Sequence, residues 1–320
     1  MARKLRMERI GGDYHVINRG NYRSDIFATD GARQAFLKAL DEACQKTGWI
    51  VHAWCLMTNH YHLALRTPNA NLSVGMQWLQ ATFSARFNRF RNERGHLFQG
   101  RYKALPIEPG KALGAVCHYI HLNPIRAKMM SLDELAGWRG CSLRWLMNPR
   151  ERASWFKPDA ALALPMQLAD TPAGRRSYKD YLAWLAADES AQKDLCFEKL
   201  SRGWAVGSKE FKQELLGVIA EDKIIGVEDA AEGRELLWER KLEELKAQFS
   251  EKEKQNAAKS ADWKVAVAAR MKETTTASNR WLSAQLGMGN MHNMSKHTSE
   301  CSRGQRAAAH YKRLTPKNKT

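Results

Sequence analysis

Apolar and polar positions alternate through Asp13-Tyr14-His15-Val16-Ile17-Asn18, the period of a strand, and Gly20 closes the run. The spacing then changes. Within 31–47, Phe36, Leu37, Leu40, Ala43 and Cys44 recur at helical intervals, and Gly48 supplies a stop. Trp49 to Met57 is dense in aromatic and branched side chains and predicts a strand. Thr58-Asn59 reads as a two-residue turn into a second strand, His60–Arg66, so the pair forms a hairpin. From there Leu72, Met76, Leu79, Phe83, Phe87 and Phe90 step by threes and fours, the mark of a long amphipathic helix with one buried stripe. Leu97 to Ile107 reads as another strand. Lys111–Leu122 reads as a helix whose apolar side is Leu113, Val116, Cys117 and Ile120. Pro124 cannot donate to the helical ladder and disfavours helix at Asn123, so the helix is expected to end there. The order strand, helix, strand, strand, helix, strand, helix predicts an α+β fold. Its form is a ferredoxin-like, mainly antiparallel sheet with helices on one side and one added helix.

Periodicity weakens beyond this block. Residues 146–200 hold Pro149, Pro158, Pro165 and Pro172 among Ala-rich and polar stretches and read as a connector. Residues 207–255 read as charged helix, and Glu232–Lys254 as a solvated one. Trp263–Lys296 resembles a helix-turn-helix: a helix over 263–272, a polar turn, a helix from Asn279 stopped by Gly287, and a short helix after Gly289. The expected domains are therefore 1–145, a connector 146–205, and a helical C-terminal part, 206–320. Length is compatible with more than one domain: 320 residues with 44% hydrophobic content can bury a sizeable core.

Charge adds a partner. The net charge is +17, and it is uneven. Residues 1–150 carry 22 Lys/Arg against 10 Asp/Glu, 151–254 carry 17 against 21, and 255–320 carry 12 against 3. Two basic blocks around a mildly acidic middle point to a polyanion. Six scattered cysteines with no Cys-x-x-Cys argue against a zinc finger or a disulfide framework. No apolar run is long enough to span a bilayer, and no apolar segment follows the basic N-terminus, so a cytoplasmic, nucleoid-associated protein is expected.

The chemistry centres on His60 and His62. Residues two apart on a strand share a face about 6.6 Å apart, close enough for two imidazoles to converge on one divalent ion. Tyr119 and Asn123 are four apart on a helix and share its face. A histidine pair with a tyrosine points to phosphodiester chemistry, because a cation offsets the charge that repels an anionic attacker. His15, His52, His118 and His121 are rival ligands, and ligand type alone favours zinc or another imidazole-preferring metal. Arg86, Arg89, Arg91, Arg101, Lys103 and Arg126 are candidates for holding phosphates. Arg3, Arg6, Asn18, Arg19, Asn21 and Arg23 are candidates for reading bases, alongside aromatics that stack on unpaired ones.

Four ordered blocks carry a family resemblance: Tyr14-His15-Val16-Ile17-Asn18-Arg19-Gly20; Trp54-Cys55-Leu56-Met57-Thr58-Asn59-His60-Tyr61-His62; Phe98-Gln99-Gly100-Arg101-Tyr102-Lys103; and Tyr119-Ile120-His121-Leu122-Asn123-Pro124-Ile125-Arg126-Ala127. Together they resemble the REP-associated tyrosine transposases, relatives of the IS200/IS605 single-tyrosine transposases within the HUH nuclease group. The likeness spans about the first 130 residues. It departs at Thr58, where proline commonly precedes the Asn-His-x-His run. The resemblance implies that Tyr119 is the nucleophile, that His60, His62 and Asn123 hold Mg²⁺ or Mn²⁺, and that the partner is single-stranded DNA carrying a REP-type hairpin. It also implies a 5′-phosphotyrosine intermediate and leans toward a monomer, with a dimer permitted. A non-catalytic hairpin-binding regulator and a replication-initiator-type nickase are the alternatives.

Overall fold

The structure, a computed structural model, describes residues 7–217 and 231–314. Four strands, β1 (Gly12–Arg19), β2 (Ile50–Leu56), β3 (His60–Thr67) and β4 (Lys103–Ile107), form one antiparallel sheet in the order β2-β3-β1-β4. Helix α1 (Asp30–Thr47) links β1 to β2, and α2 (Leu72–Arg91) links β3 to β4. This is the ferredoxin-like arrangement that the element order predicts. Thr29 caps α1 by accepting from Ala32 N–H, and Gly48, at φ 72°, ends it.

Both faces of the sheet are covered. Tyr14, Val16, Trp54, Leu56, Tyr61, Leu63 and Leu65 face one core with α1 and α2. The alternate residues Ala53, Cys55, Ala64, Leu105 and Ile107 face a second core, against α3 (Lys111–Arg126), α6 (Asp159–Met166) and α7 (Pro172–Ala187); the short helices α4 (Leu132–Gly137) and α5 (Leu143–Met147) precede α6. A sheet buried on both sides explains why β2 reads as a nearly continuous apolar run. In the first core, Gly75 of α2 lies so close to Trp49 that a Cβ there would meet the indole at 2.1 Å.

The structure departs from expectation at four places. Helix α3 does not end before Pro124 but runs to Arg126. Proline removes one N–H, and the next ladder bond, Ala127 N–H to the Asn123 carbonyl at 2.9 Å, keeps the last turn. The strand expected from Leu97 begins only at Lys103. Residues 97–101 instead run along the end of β1, with Asn21 N–H donating to the Leu97 carbonyl and Gln99 N–H to that of Arg19. The stripe on α2 runs out early, as Phe87 is half-buried and Phe90 is 89% exposed. The stretch 146–205 is no connector: Ala161, Leu162, Tyr178, Leu182, Leu185, Phe197 and Leu200 belong to the second core. Pro149, Pro158 and Pro172 sit at helix starts, where a missing N–H costs little, as Pro172 does behind the Thr171 cap of α7, and Pro165 lies in the last turn of α6.

The chain divides into two units, Met1–Lys212 and Gln213–Thr320. In the second, helices Ala231–Lys246, Asp262–Thr274, Asn279–Gln285, Met291–Ser302 and Ala308–Arg313 surround a core that includes Leu242, Leu245, Phe249, Val265, Val267, Met271, Leu282 and Met294. The charged helix expected to be fully solvated therefore buries one stripe there. The helix expected after Gly289 is longer than a short turn, at 12 residues.

Candidate active site

β3 emerges from the Thr58-Asn59 turn, which the loop after β1 holds from outside: Gly20 N–H donates to the Asn59 carbonyl and Phe27 N–H to that of Thr58. His60 and His62 then project from the face of the sheet that α3 covers. Their ring centroids are 5.1 Å apart. Across the strand pair, His60 stands opposite Arg19 and His62 opposite Ile17. Tyr119, 7% exposed, comes down from α3 with its ring edge-on to His62 at 5.7 Å and to His15 at 5.9 Å. The hairpin and the tyrosine helix thus meet.

Three histidines and the tyrosine form one cluster. His15 Nδ1–H donates to the Leu200 carbonyl at 2.7 Å, and His15 Nε2 lies 2.9 Å from His62 Nδ1. His60 Nδ1 lies 2.8 Å from Asn59 Oδ1. Burial disfavours the imidazolium in every case. It pushes His15 and His60 down to about 4, with Arg19 adding repulsion at His60, and carries His62 well below its ordinary value, where His15, His60 and Arg19 add repulsion. All three rings are neutral at pH 7, the form a metal takes.

Asn123 lies one turn beyond Tyr119, 8% exposed, and its Nδ2 is a buried polar atom with no hydrogen-bond partner. An amide binds a cation through its oxygen, so Asn123, on the Tyr119 face of α3, would serve with Oδ1 turned toward the ion; two neutral imidazoles and an amide oxygen are a donor set that fits a divalent ion. No cluster of three or more His, Cys, Asp or Glu in metal-binding geometry exists among the described residues, so a site here would use an amide as its third protein group. Arg126 lies over the Tyr119 ring at 5.2 Å and over Phe197 at 5.4 Å, and Phe197 packs edge-on to Tyr119 at 5.6 Å.

The rival histidines are spent elsewhere. His118 Nε2–H donates to the Ala161 carbonyl, His121 sits between the Tyr178 and Ser142 hydroxyls, and His52 Nδ1–H donates to the Lys157 carbonyl. The basic candidates separate too. Asn18 is 6% exposed and tied down, donating to the Gly100 carbonyl and accepting from Arg19 N–H, so it cannot reach a base. Arg86 forks onto the Glu42 carboxylate at 2.9 Å, bracing α2 against α1 on the far face of the sheet. Arg91 pairs with Glu93. Arg89 is exposed near the end of α2, and Lys103 stands on β4 with its charge felt at His15. Arg19 and Arg23 are exposed beside the hairpin turn, while Asn21 and Arg101 line one surface cleft of about 450 Å³ with His96 and Phe98. Arg3 and Arg6 lie outside the described residues.

Two parts of this site escape sequence reasoning. His15 is a rival ligand by residue type, but its partner is another imidazole. Phe197 and the Leu200 carbonyl come from a polar stretch with no periodic signal.

Residues 10–123 match the family model for IS200-like transposases. A search of the curated proteins finds no match. Among solved structures, the chain is similar to a REP-associated tyrosine transposase bound to a REP hairpin, at 17% identity and a TM-score of 0.39, over 45% of this chain and 84% of that one. It is also similar to a Deinococcus radiodurans R1 chain provisionally named a transposase, at 19% identity and a TM-score of 0.28, over 40% and 92%. The span that matches the IS200-like transposase model holds His15, the histidine pair, Tyr119 and Asn123.

Proposed function

We propose that this protein is a metal-dependent single-stranded DNA endonuclease and strand transferase that works through Tyr119. The observation that carries the reading is the meeting of Tyr119 with His62 at 5.7 Å, beside His60 and one helical turn before Asn123. His60, His62 and Asn123 would hold Mg²⁺ or Mn²⁺, which when bound neutralises charge on the scissile phosphate and orients it for in-line attack.

The chain's own groups supply the rest. The Tyr119 hydroxyl loses its proton and its oxygen bonds to phosphorus, while the bond from phosphorus to the 3′-oxygen breaks. That oxygen takes up a proton and leaves as a 3′-OH, and the 5′-phosphate stays on Tyr119. The phosphodiester energy is kept in this link, so a 3′-OH from another strand can reverse the step and join strands. Arg126, stacked on the Tyr119 ring, carries a positive charge over the nucleophile's ring and is suited to a flanking phosphate. Arg19, exposed and directly across from His60, is suited to another. Phe197 and Arg126 keep the phenol largely out of water, which strengthens charge interactions there.

The substrate proposed is single-stranded DNA bearing a REP-type hairpin, bound by a monomer. The test is incubation with 5′- and 3′-labelled hairpin-tailed oligonucleotides, with and without Mg²⁺ or Mn²⁺, followed by denaturing gels. Wild type should give a nicked strand and a covalent protein–DNA band only with metal. Tyr119→Phe should give neither while still binding the oligonucleotide. Cleavage by Tyr119→Phe would refute the nucleophile, and binding by wild type without cleavage would favour a regulatory hairpin-binding role.

A further inference from the structure

We infer that His15 and the Leu200 carbonyl form a two-step relay that sets which nitrogen of His62 carries its proton, presenting an unprotonated Nε2 to the metal. This deepens the proposed function and rests on it only for the identity of the ligand.

A carbonyl oxygen can only accept, so the 2.7 Å contact at Leu200 makes His15 Nδ1 a donor. His15 is fully buried, and its two ring nitrogens face a carbonyl and another imidazole, neither of them a carboxylate; at pH 7.5, above the ordinary imidazole value of about 6.5, it carries one N–H and has used it. Its Nε2 must therefore accept. The 2.9 Å contact to His62 Nδ1 then makes that nitrogen the donor. With that one proton on Nδ1, the His62 imidazole has its lone pair on Nε2. No hydrogen bond is formed at that Nε2 among the described residues.

His60 reaches the same state by a separate route. Asn59 Nδ2–H donates to the Arg23 carbonyl at 3.3 Å, which turns Asn59 Oδ1 toward His60 and makes His60 Nδ1 the donor at 2.8 Å. Two backbone carbonyls, each acting through one side chain, leave both imidazoles in the same ligating form. Such outer partners of metal-bound histidines typically matter about 10- to 100-fold in metal affinity. The relay gives His15, which sits where an apolar residue would pack, a reason to be polar. It also makes the Leu200 stretch part of the site's chemistry as well as its wall.

The test uses full-length, metal-free protein with ¹⁵N-labelled histidine. Long-range ¹H–¹⁵N correlation spectra at pH 7.5, with His62 assigned from His62→Gln, read the tautomer directly. Expected is Nδ1–H at His62 in wild type. His15→Leu should give a mixture and weaken Mn²⁺ binding, measured calorimetrically, about 10- to 100-fold. His15→Gln, whose amide can donate to Leu200 and accept from His62, should restore most of the affinity. Nε2–H at His62 in wild type, or an unchanged tautomer and Mn²⁺ affinity in His15→Leu, would overturn the relay. Should His15→Leu fail to fold by circular dichroism, the wild-type tautomer decides alone. Wild type that shows Nδ1–H yet binds no Mn²⁺ would sink the metal reading and leave the relay standing.

Discussion

Buried histidines are the dominant chemical feature of the second core, and they make an acid-sensitive protein. His118 is the cleanest case, because it lies off the site and bonds to the Ala161 carbonyl and, more weakly, to Tyr181. Burial lowers it from an ordinary 6.5 to about 4, the Ala161 bond opposing only in part. Its folded value is depressed, so its contribution to stability is whole above pH 6.5. It is lost as pH falls toward 4, where the unfolded chain takes up a proton that the folded chain refuses. The slope is about 1.4 kcal/mol per pH unit, or roughly 3 kcal/mol over the window. His118→Gln keeps a donor for Ala161 and removes the proton. Urea unfolding at pH 7, 6, 5 and 4.5 should show a shallower loss of stability than wild type by about one proton, and identical slopes would contradict this account.

At the level of helices and strands, local pattern and long-range contact carry separate information. Spacing suffices to find β1, α1, the β2–β3 hairpin and α2, because burying one face imposes a period that the chain displays locally. It fails at Pro124, where a proline rule overrides a helix whose packing holds its last turn, and at Leu97–Gly100, where an apolar run docks onto β1 without joining the sheet as a strand. Nor can it show why Gly75 stands inside α2. Glycine lowers helix propensity, but here it lets α2 sit against Trp49, whose indole N–H donates to Asn71 at the start of the same helix. Gly75→Ala should therefore destabilise, at about 1–3 kcal/mol, despite alanine's better propensity. Calorimetry should show a drop in Tm of several degrees. An unchanged or raised Tm would mean the indole moves freely.

On the scale of the whole molecule, the chain forms two units. The first holds the whole histidine–tyrosine cluster, and it needs the chain as far as the Ser208 bonds to Glu108. A deletion beginning at 200 would cut into this core, so the informative truncation removes 213–320. The segment 255–320 carries 12 Lys/Arg against 3 Asp/Glu, and its loss should weaken binding to hairpin DNA. The plot of log affinity against log salt should become shallower, by about 0.7–0.9 for each phosphate that is no longer neutralised. Nicking should survive at saturating protein. An unchanged salt slope would remove the second unit from the DNA-binding surface.

The elements of the sheet, the histidine pair, the tyrosine helix and the basic ends are all legible in the order of residues, since each is a local pattern of period or charge. Which nitrogen of His62 carries its proton is not. That turns on the Leu200 carbonyl, 185 residues from His15, in a stretch whose Phe197 and Leu200 pack into the second core. Hydrogen-bond partners depend on register and on which segments close a core. Those follow from the balance of the whole fold, so no stretch of sequence displays them in advance.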